Sequence, residues 1–263
     1  MWIDTHCHLD ANEFAGESDM VAARAAGRQV SRIVIPTVDR SNFTAVQELA
    51  RRNANCAYAL GIHPMYVPGA SEDDLAALRE MIRQAMDDPC FVAVGEIGLD
   101  FFIPGLGEGP VRERQEFFFS EQLKIARDFE LPVLLHIRRA QDTILKYLRR
   151  FSVPGGIAHA FNGSRQQADV FIGLGFKLGF GGAMTFSRAS RIRALAAELP
   201  QEALVLETDA PDIPPTWIQH QRNSPEELPR IGQALADLRG IAAQSIAQIT
   251  SANARNVLPR LAA

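Results

Sequence analysis

The chain has little cysteine. Its 263 residues hold three, Cys7, Cys56 and Cys90, and no two of them form a CxxC pair. So scattered a set builds no disulfide framework, and a reducing cytoplasm is the expected compartment. No basic stretch followed by an apolar one precedes Trp2-Ile3-Asp4, so no signal peptide is expected. No apolar run approaches the roughly 20 residues of a membrane span. There is no basic excess either. Lys and Arg total 27 against 31 Asp and Glu, a formal net charge of −4. No global field therefore draws the chain to nucleic acid or to a membrane. A phosphate substrate stays open, because bound divalent ions can dominate the local field. Linkers rich in Pro, Gly and Ser, low-complexity tracts and repeats are absent, and one domain over 1–263 is expected.

What is present is an ordinary globular composition, 47% hydrophobic and 22% charged. The length suits one α/β barrel, which takes about 250 residues. Short, nearly continuous apolar runs predict strands at Trp2–Asp4, Arg32–Pro36, Ala57–Gly61, Phe91–Glu96, Pro132–His136, Gly156–His159, Phe176–Gly179 and Ala203–Glu207. Helical spacing fills the intervals. Leu75, Leu78 and Ile82 form one stripe, with Ser71 as N-cap and acidic residues in the first turn. Strand and helix alternating eight times predict a (β/α)8 TIM barrel; an open doubly wound sheet fits the same pattern. Phe101–Val111 and Asp209–Pro225, rich in Gly or Pro, read as loops on the substrate side.

Six side chains able to bind metal stand at or just past the ends of these runs: His6, His8, Glu96, His136, His159 and Asp209. A parallel barrel gathers its strand ends into one ring, so these residues would converge. His6 and His8, two apart in extended chain, aim to one side. Glu96 can bridge two cations or pair with an Arg. Asp209 can bind metal and accept a proton from water, whose pKa a divalent ion lowers from about 15.7 towards about 7. Asp100 either orients a ligand or caps a loop. His63 contacts substrate, steadies a leaving group or orders its own loop. Arg138, two residues past His136, suits a phosphate. The basic runs Arg139–Arg150 and Arg188–Arg193 read as solvated helix faces. The glycines around strand seven lie outside the first βα turn and do not make a dinucleotide fingerprint.

Taken together, Asp4-Thr5-His6-Cys7-His8-Leu9-Asp10, Gly61-Ile62-His63-Pro64, Gly95-Glu96-Ile97-Gly98-Leu99-Asp100, Leu131-Pro132-Val133 with His136, His159-Ala160-Phe161-Asn162-Gly163-Ser164 and Glu207-Thr208-Asp209-Ala210-Pro211 resemble the TatD family of metal-dependent deoxyribonucleases, among the amidohydrolase-like barrels. The resemblance covers nearly the whole chain. It implies a two-metal site, with His6, His8, Glu96 and Asp209 on one ion and Glu96, His136 and His159 on the other. Related amidohydrolases often carry a modified lysine where this chain has Glu96, which favours the TatD branch. Phe101-Phe102 replaces a frequent Tyr, and Arg222-Asn223-Ser224-Pro225 departs from Arg-Asn-Glu-Pro. The expected activity is a phosphodiesterase of exonuclease type acting on DNA with two divalent ions, Zn, Mn, Mg or Ni. Asp209, Glu96, His63 and Arg138 would be its catalytic residues. The alternatives are hydrolysis of another ester or an amide, such as a D-aminoacyl-tRNA linkage, and a barrel that holds metal without catalysis.

Overall fold

The computed structural model describes residues 1–262. Eight parallel strands run in sequence order around one sheet. They are β1 (Trp2–Asp4), β2 (Val30–Pro36), β3 (Cys56–Leu60), β4 (Phe91–Asp100), β5 (Val133–Arg138), β6 (Gly156–Ala158), β7 (Phe176–Phe180) and β8 (Leu204–Leu206). Helices α1 (Ser18–Gly27), α2 (Phe43–Arg52), α3 (Glu72–Ala85), α4 (Gly109–Asp128), α5 (Gln141–Arg150), α6 (Arg165–Gly173) and α7 (Ser190–Glu198) connect them, and α8 (Leu228–Arg239) and α9 (Ala243–Val257) follow β8. The TIM-barrel expectation holds, and the open-sheet alternative falls. Strands buried on both faces are what parallel order requires.

Two apolar clusters fill the molecule. Alternate strand residues, among them Ile3, Val34, Ala59, Leu134, Ile157 and Val205, form an inner cluster with Val257, Leu258 and Leu261 of the chain's end. The other strand face packs on the helices, where Leu75, Leu78 and Ile82 of α3 lie buried as the stripe predicts. At the start of α3 the Ser71 N–H donates to Asp74 Oδ2 at 2.8 Å. Phe101–Val111 is loop only as far as Glu108, where α4 begins. Asp209–Pro225 contains nothing longer than a short 3-10 turn. Among the described residues, no helix is long and apolar enough to cross a membrane. Cys7, Cys56 and Cys90 are free.

Two irregularities shape the end of the barrel that carries the candidate residues. First, no ladder pairs β8 with β1 among the described residues. That seam is closed instead where the chain leaves the strands. The Thr5 N–H and hydroxyl both donate to the Leu206 carbonyl, at 3.1 and 3.0 Å. The Thr208 hydroxyl and N–H donate to the two oxygens of Asp4, at 2.6 and 3.0 Å. Second, β4 carries one residue more than β5 between the pairs Val94–Val133 and Ile97–Leu135. A bulge of this kind re-aims a side chain beside a site, and Glu96 lies in it. Just beyond, Gly98 has φ +147°, and a Cβ there would meet the His136 carbonyl at 2.0 Å, so no other residue fits.

The opposite end is held by polar groups. Asp88 accepts from Arg51 at 2.9 Å, the Tyr58 hydroxyl at 2.9 Å and the Cys90 N–H at 2.9 Å. Burial pushes its carboxyl up, but these donors together hold it below the usual carboxylate range. A depressed carboxylate stabilises the fold above its unfolded pKa and loses that contribution as pH falls through the folded value. Asp88→Asn is therefore expected to cost about 1–3 kcal/mol at pH 7. The gap from wild type should close as pH drops below about 4. Urea unfolding in chelator at pH 7 and at pH 3 checks this; a gap that does not shrink refutes it.

Candidate metal centre

The strand ends bring the expected residues together. Glu96 lies at the centre, its side chain 1% exposed. Its Oε2 is 3.0 Å from His6 Nε2 and 3.4 Å from His8 Nε2. Its Oε1 is 3.0 Å from His136 Nδ1 and 3.6 Å from His63 Nε2. Asp209 Oδ1 sits 3.8 Å from both His6 and His8 and 3.4 Å from His159 Nε2. The His6 and His159 rings stack with centroids 3.7 Å apart. Three sets of donor atoms each fall within 4.8 Å: His6, His8 and Asp209; His6, Glu96 and His159; His63, Glu96 and His136. By proximity, then, His63 rather than His159 stands with His136.

The partners of the outer ring nitrogens decide what each inner nitrogen can do. His136 Nε2 is 3.0 Å from Asp100 Oδ2, so that nitrogen carries the hydrogen and Nδ1 turns a lone pair inward. His159 Nδ1 is 3.0 Å from Glu207 Oε1, an ion-pair contact without hydrogen-bond geometry, and its Nε2 points to Asp209 Oδ1 at 3.4 Å. His63 differs. Its Nδ1 accepts the Met65 N–H at 3.2 Å, so in the neutral ring Nε2 bears the hydrogen and donates into the site. His159 thus faces the cluster as a ligand would, and His63 as a donor. Two further observations fit a cation. The Nε2 atoms of His6 and His8 face each other at 3.3 Å, and His6 Nδ1 and Glu207 Oε2 are buried with no hydrogen-bond partner.

The family model described as TatD related DNase matches residues 3–259. The chain belongs to that family. It is 42% identical over 248 residues to an Escherichia coli K12 protein called uncharacterized metal-dependent hydrolase YjjV, covering 94% of this chain and 93% of that one. It is 34% identical over 265 residues to the 3'-5' ssDNA/RNA exonuclease TatD of Salmonella typhimurium, covering 97% of each. The crystal structure of the E. coli YjjV protein superposes with a TM-score of 0.92 at 40% identity over 98% of both chains. The chain is accordingly a metal-dependent hydrolase with a TatD-type barrel.

In this TatD-family site, burial works against every charge, and for Glu96, Asp209, His8 and His159 the neighbours outweigh it. Burial pushes Glu96 up, but His6, His63 and His136 bring it well below the ordinary range. Burial likewise raises Asp209, and His159, His6 and His8 pull it down. Burial lowers His63 to about 4, so it is neutral at pH 7. His8 is pushed down by burial, but Glu96, Asp209 and Asp10 raise it to about 9. Burial also opposes charge on His159, yet Glu207 and Asp209 lift it well above normal. Such a cluster favours positive charge placed among its carboxylates. Arg138 is exposed, and its guanidinium lies over the Phe102 ring, 3.9 Å from the centroid. Among the described residues it makes no ion pair with the cluster. Asn223 donates to the carbonyls of Thr208 and Asp212, so the Ser224 departure lies outside the ligand cluster.

Glu207 escaped the sequence reading, although it stands two residues before Asp209. Its Oε1 also accepts the Ala160 N–H at 2.6 Å, which ties it to the residue after His159. A Cβ on Gly179 would meet its Oε2 at 2.2 Å, so the glycine of β7 makes room for this carboxylate. Glu207 is a positioning residue for His159. Glu207→Gln is expected to weaken divalent-ion affinity about 10- to 100-fold. Calorimetric titration of the chelator-stripped protein measures it, and unchanged affinity refutes the assignment.

Proposed function

We propose that the chain is a two-metal phosphodiesterase that removes nucleotides from single-stranded nucleic acid. The observation that carries the reading is the division of Glu96, one oxygen facing His6 and His8, the other facing His136 and His63. His6, His8, Asp209 and Glu96 Oε2 would hold one ion; Glu96 Oε1 and His136 Nδ1 would hold the other, which the family resemblance completes with His159 although His63 stands nearer His136. The named activity of the Salmonella relative supports this choice of bond. Bound divalent ions supply Lewis acidity, polarising a phosphoryl oxygen and bringing the pKa of water towards neutrality.

The chain's own residues do the rest. Asp209, with its side chain 14% exposed against 1% for Glu96, is the carboxylate open to entering water, and it accepts the proton. Glu96 keeps the two histidine sets in register. Asp100 hydrogen-bonds the outer nitrogen of His136 and Glu207 stands 3.0 Å from that of His159, and each carboxylate turns its ring towards the cluster. His63 Nε2–H, neutral at pH 7, donates a hydrogen bond towards charge developing on the leaving oxygen. Arg138, at the rim, meets a neighbouring phosphate.

Asp209→Asn is expected to lower the rate of cleavage of single-stranded DNA in Mg²⁺ or Mn²⁺ at least about a hundredfold. Undiminished cleavage in both Asp209→Asn and Glu96→Ala overturns the mechanism. Elemental analysis separates the two histidines. His159→Ala should lose one ion per chain, and His63→Ala should keep both while turning over slowly. The reverse result exchanges their roles.

A further inference from the structure

The mouth of this site carries an aromatic ring that the chemistry above leaves unused. Phe102 is 43% exposed, one of few large apolar side chains turned to water. Its predecessor Phe101 is half-buried, with the Arg112 guanidinium 4.3 Å from its ring centroid. Phe102 is framed by Arg138 and Arg139, whose guanidinium carbons lie 3.9 and 4.6 Å from its centroid. Neither arginine is engaged by a carboxylate among the described residues. The ring is also fastened to the metal cluster. Asp100 Oδ1 accepts the N–H of Phe102 at 2.8 Å and of Ile103 at 3.1 Å, and Oδ2 of the same carboxylate holds His136 Nε2 at 3.0 Å. Arg138 leaves β5 two residues past His136. One carboxylate therefore sets the place of a candidate ligand and of the exposed ring together.

We propose that Phe102, framed by Arg138 and Arg139, is the platform on which the base beside the scissile phosphodiester stacks. An aromatic face accepts any base; the guanidinium groups that lie over the ring in the free chain would give way to the base and meet the backbone phosphates, the pairing by which single strands are held without sequence readout. A duplex keeps its bases stacked on each other and cannot offer one to the ring without unpairing. The platform rests on the phosphodiesterase reading and selects, within it, an unpaired strand.

The test compares ten-nucleotide oligothymidylate with an abasic strand of equal length, in Mn²⁺, for wild type, Phe102→Ala and Phe102→Trp. Wild type should show a KM about tenfold lower for the base-bearing strand. Phe102→Ala should erase that preference, and Phe102→Trp should restore it. A Phe102→Ala protein that melts lower but keeps the preference shows the ring to be structural and overturns the proposal. If wild type cleaves neither strand, the phosphodiesterase reading falls by itself. Fluorescence anisotropy of the two strands then decides the platform separately, by whether base-dependent binding exists and vanishes in Phe102→Ala.

Discussion

A single buried carboxylate organises this end of the barrel. Glu96 cannot lie 1% exposed as an anion without partners, because removing a charge from water costs several kcal/mol. Its partners come from the ends of β1, β3 and β5, which are distant in sequence. Each partner must present a nitrogen towards it, and that demand passes outward. His136 needs Asp100 on its far side, and Asp100 in turn fixes the loop after β4. The bulge in β4 and the bare backbone at Gly98 are the local conditions that let Glu96 and His136 sit side by side.

Much of this was legible in the sequence, for physical reasons that differ by residue. The strands were legible because both faces are buried, so each reads as a short apolar run; β1 matches its expected Trp2–Asp4 span. β4 runs on to Asp100 because Ile97, Gly98, Leu99 and Asp100 pair with β5, although the four include a glycine and a carboxylate. A hydrophobic pattern does not show pairing of that kind. The convergence of the six candidate residues was legible because each stands at or just past the end of an apolar run. Their outer partners were less so. For Asp100 the two readings offered, ligand orientation and loop capping, each have a counterpart in its contacts: Oδ2 meets His136 Nε2 and Oδ1 accepts the Phe102 N–H. Glu207 depends on His159 of another strand and on the absence of a side chain at Gly179. Only the alternation that places it on the side of Asp209 hinted at it.

The metal-dependent chemistry and the choice of substrate are written in different parts of the molecule. The cluster is inside, made of histidines and carboxylates whose ionisation the neighbours control. The rim is exposed, with Phe102 and Arg139 on loops, where change is structurally cheap, and Arg138 at the end of β5. A net charge of −4 gives no long-range pull on a polyanion. Under the proposed function, recognition of a nucleic acid strand would have to be local, and the arginines over Phe102 bring cationic charge to the mouth of the site.

The seam between β8 and β1 gives the site a second role. His6 and His8 lie on one side of it, and Asp209 on the other, with the Asp209 N–H donating to the His6 carbonyl at 2.9 Å. Among the described residues no strand ladder crosses there. An ion shared by those three side chains would be a clasp on that unladdered join. Ligand that binds only the folded chain adds its binding energy to folding. The resistance of this barrel to unfolding would then rise and fall with the divalent-ion supply of its surroundings, and a chain starved of metal would open first where its beginning meets its end.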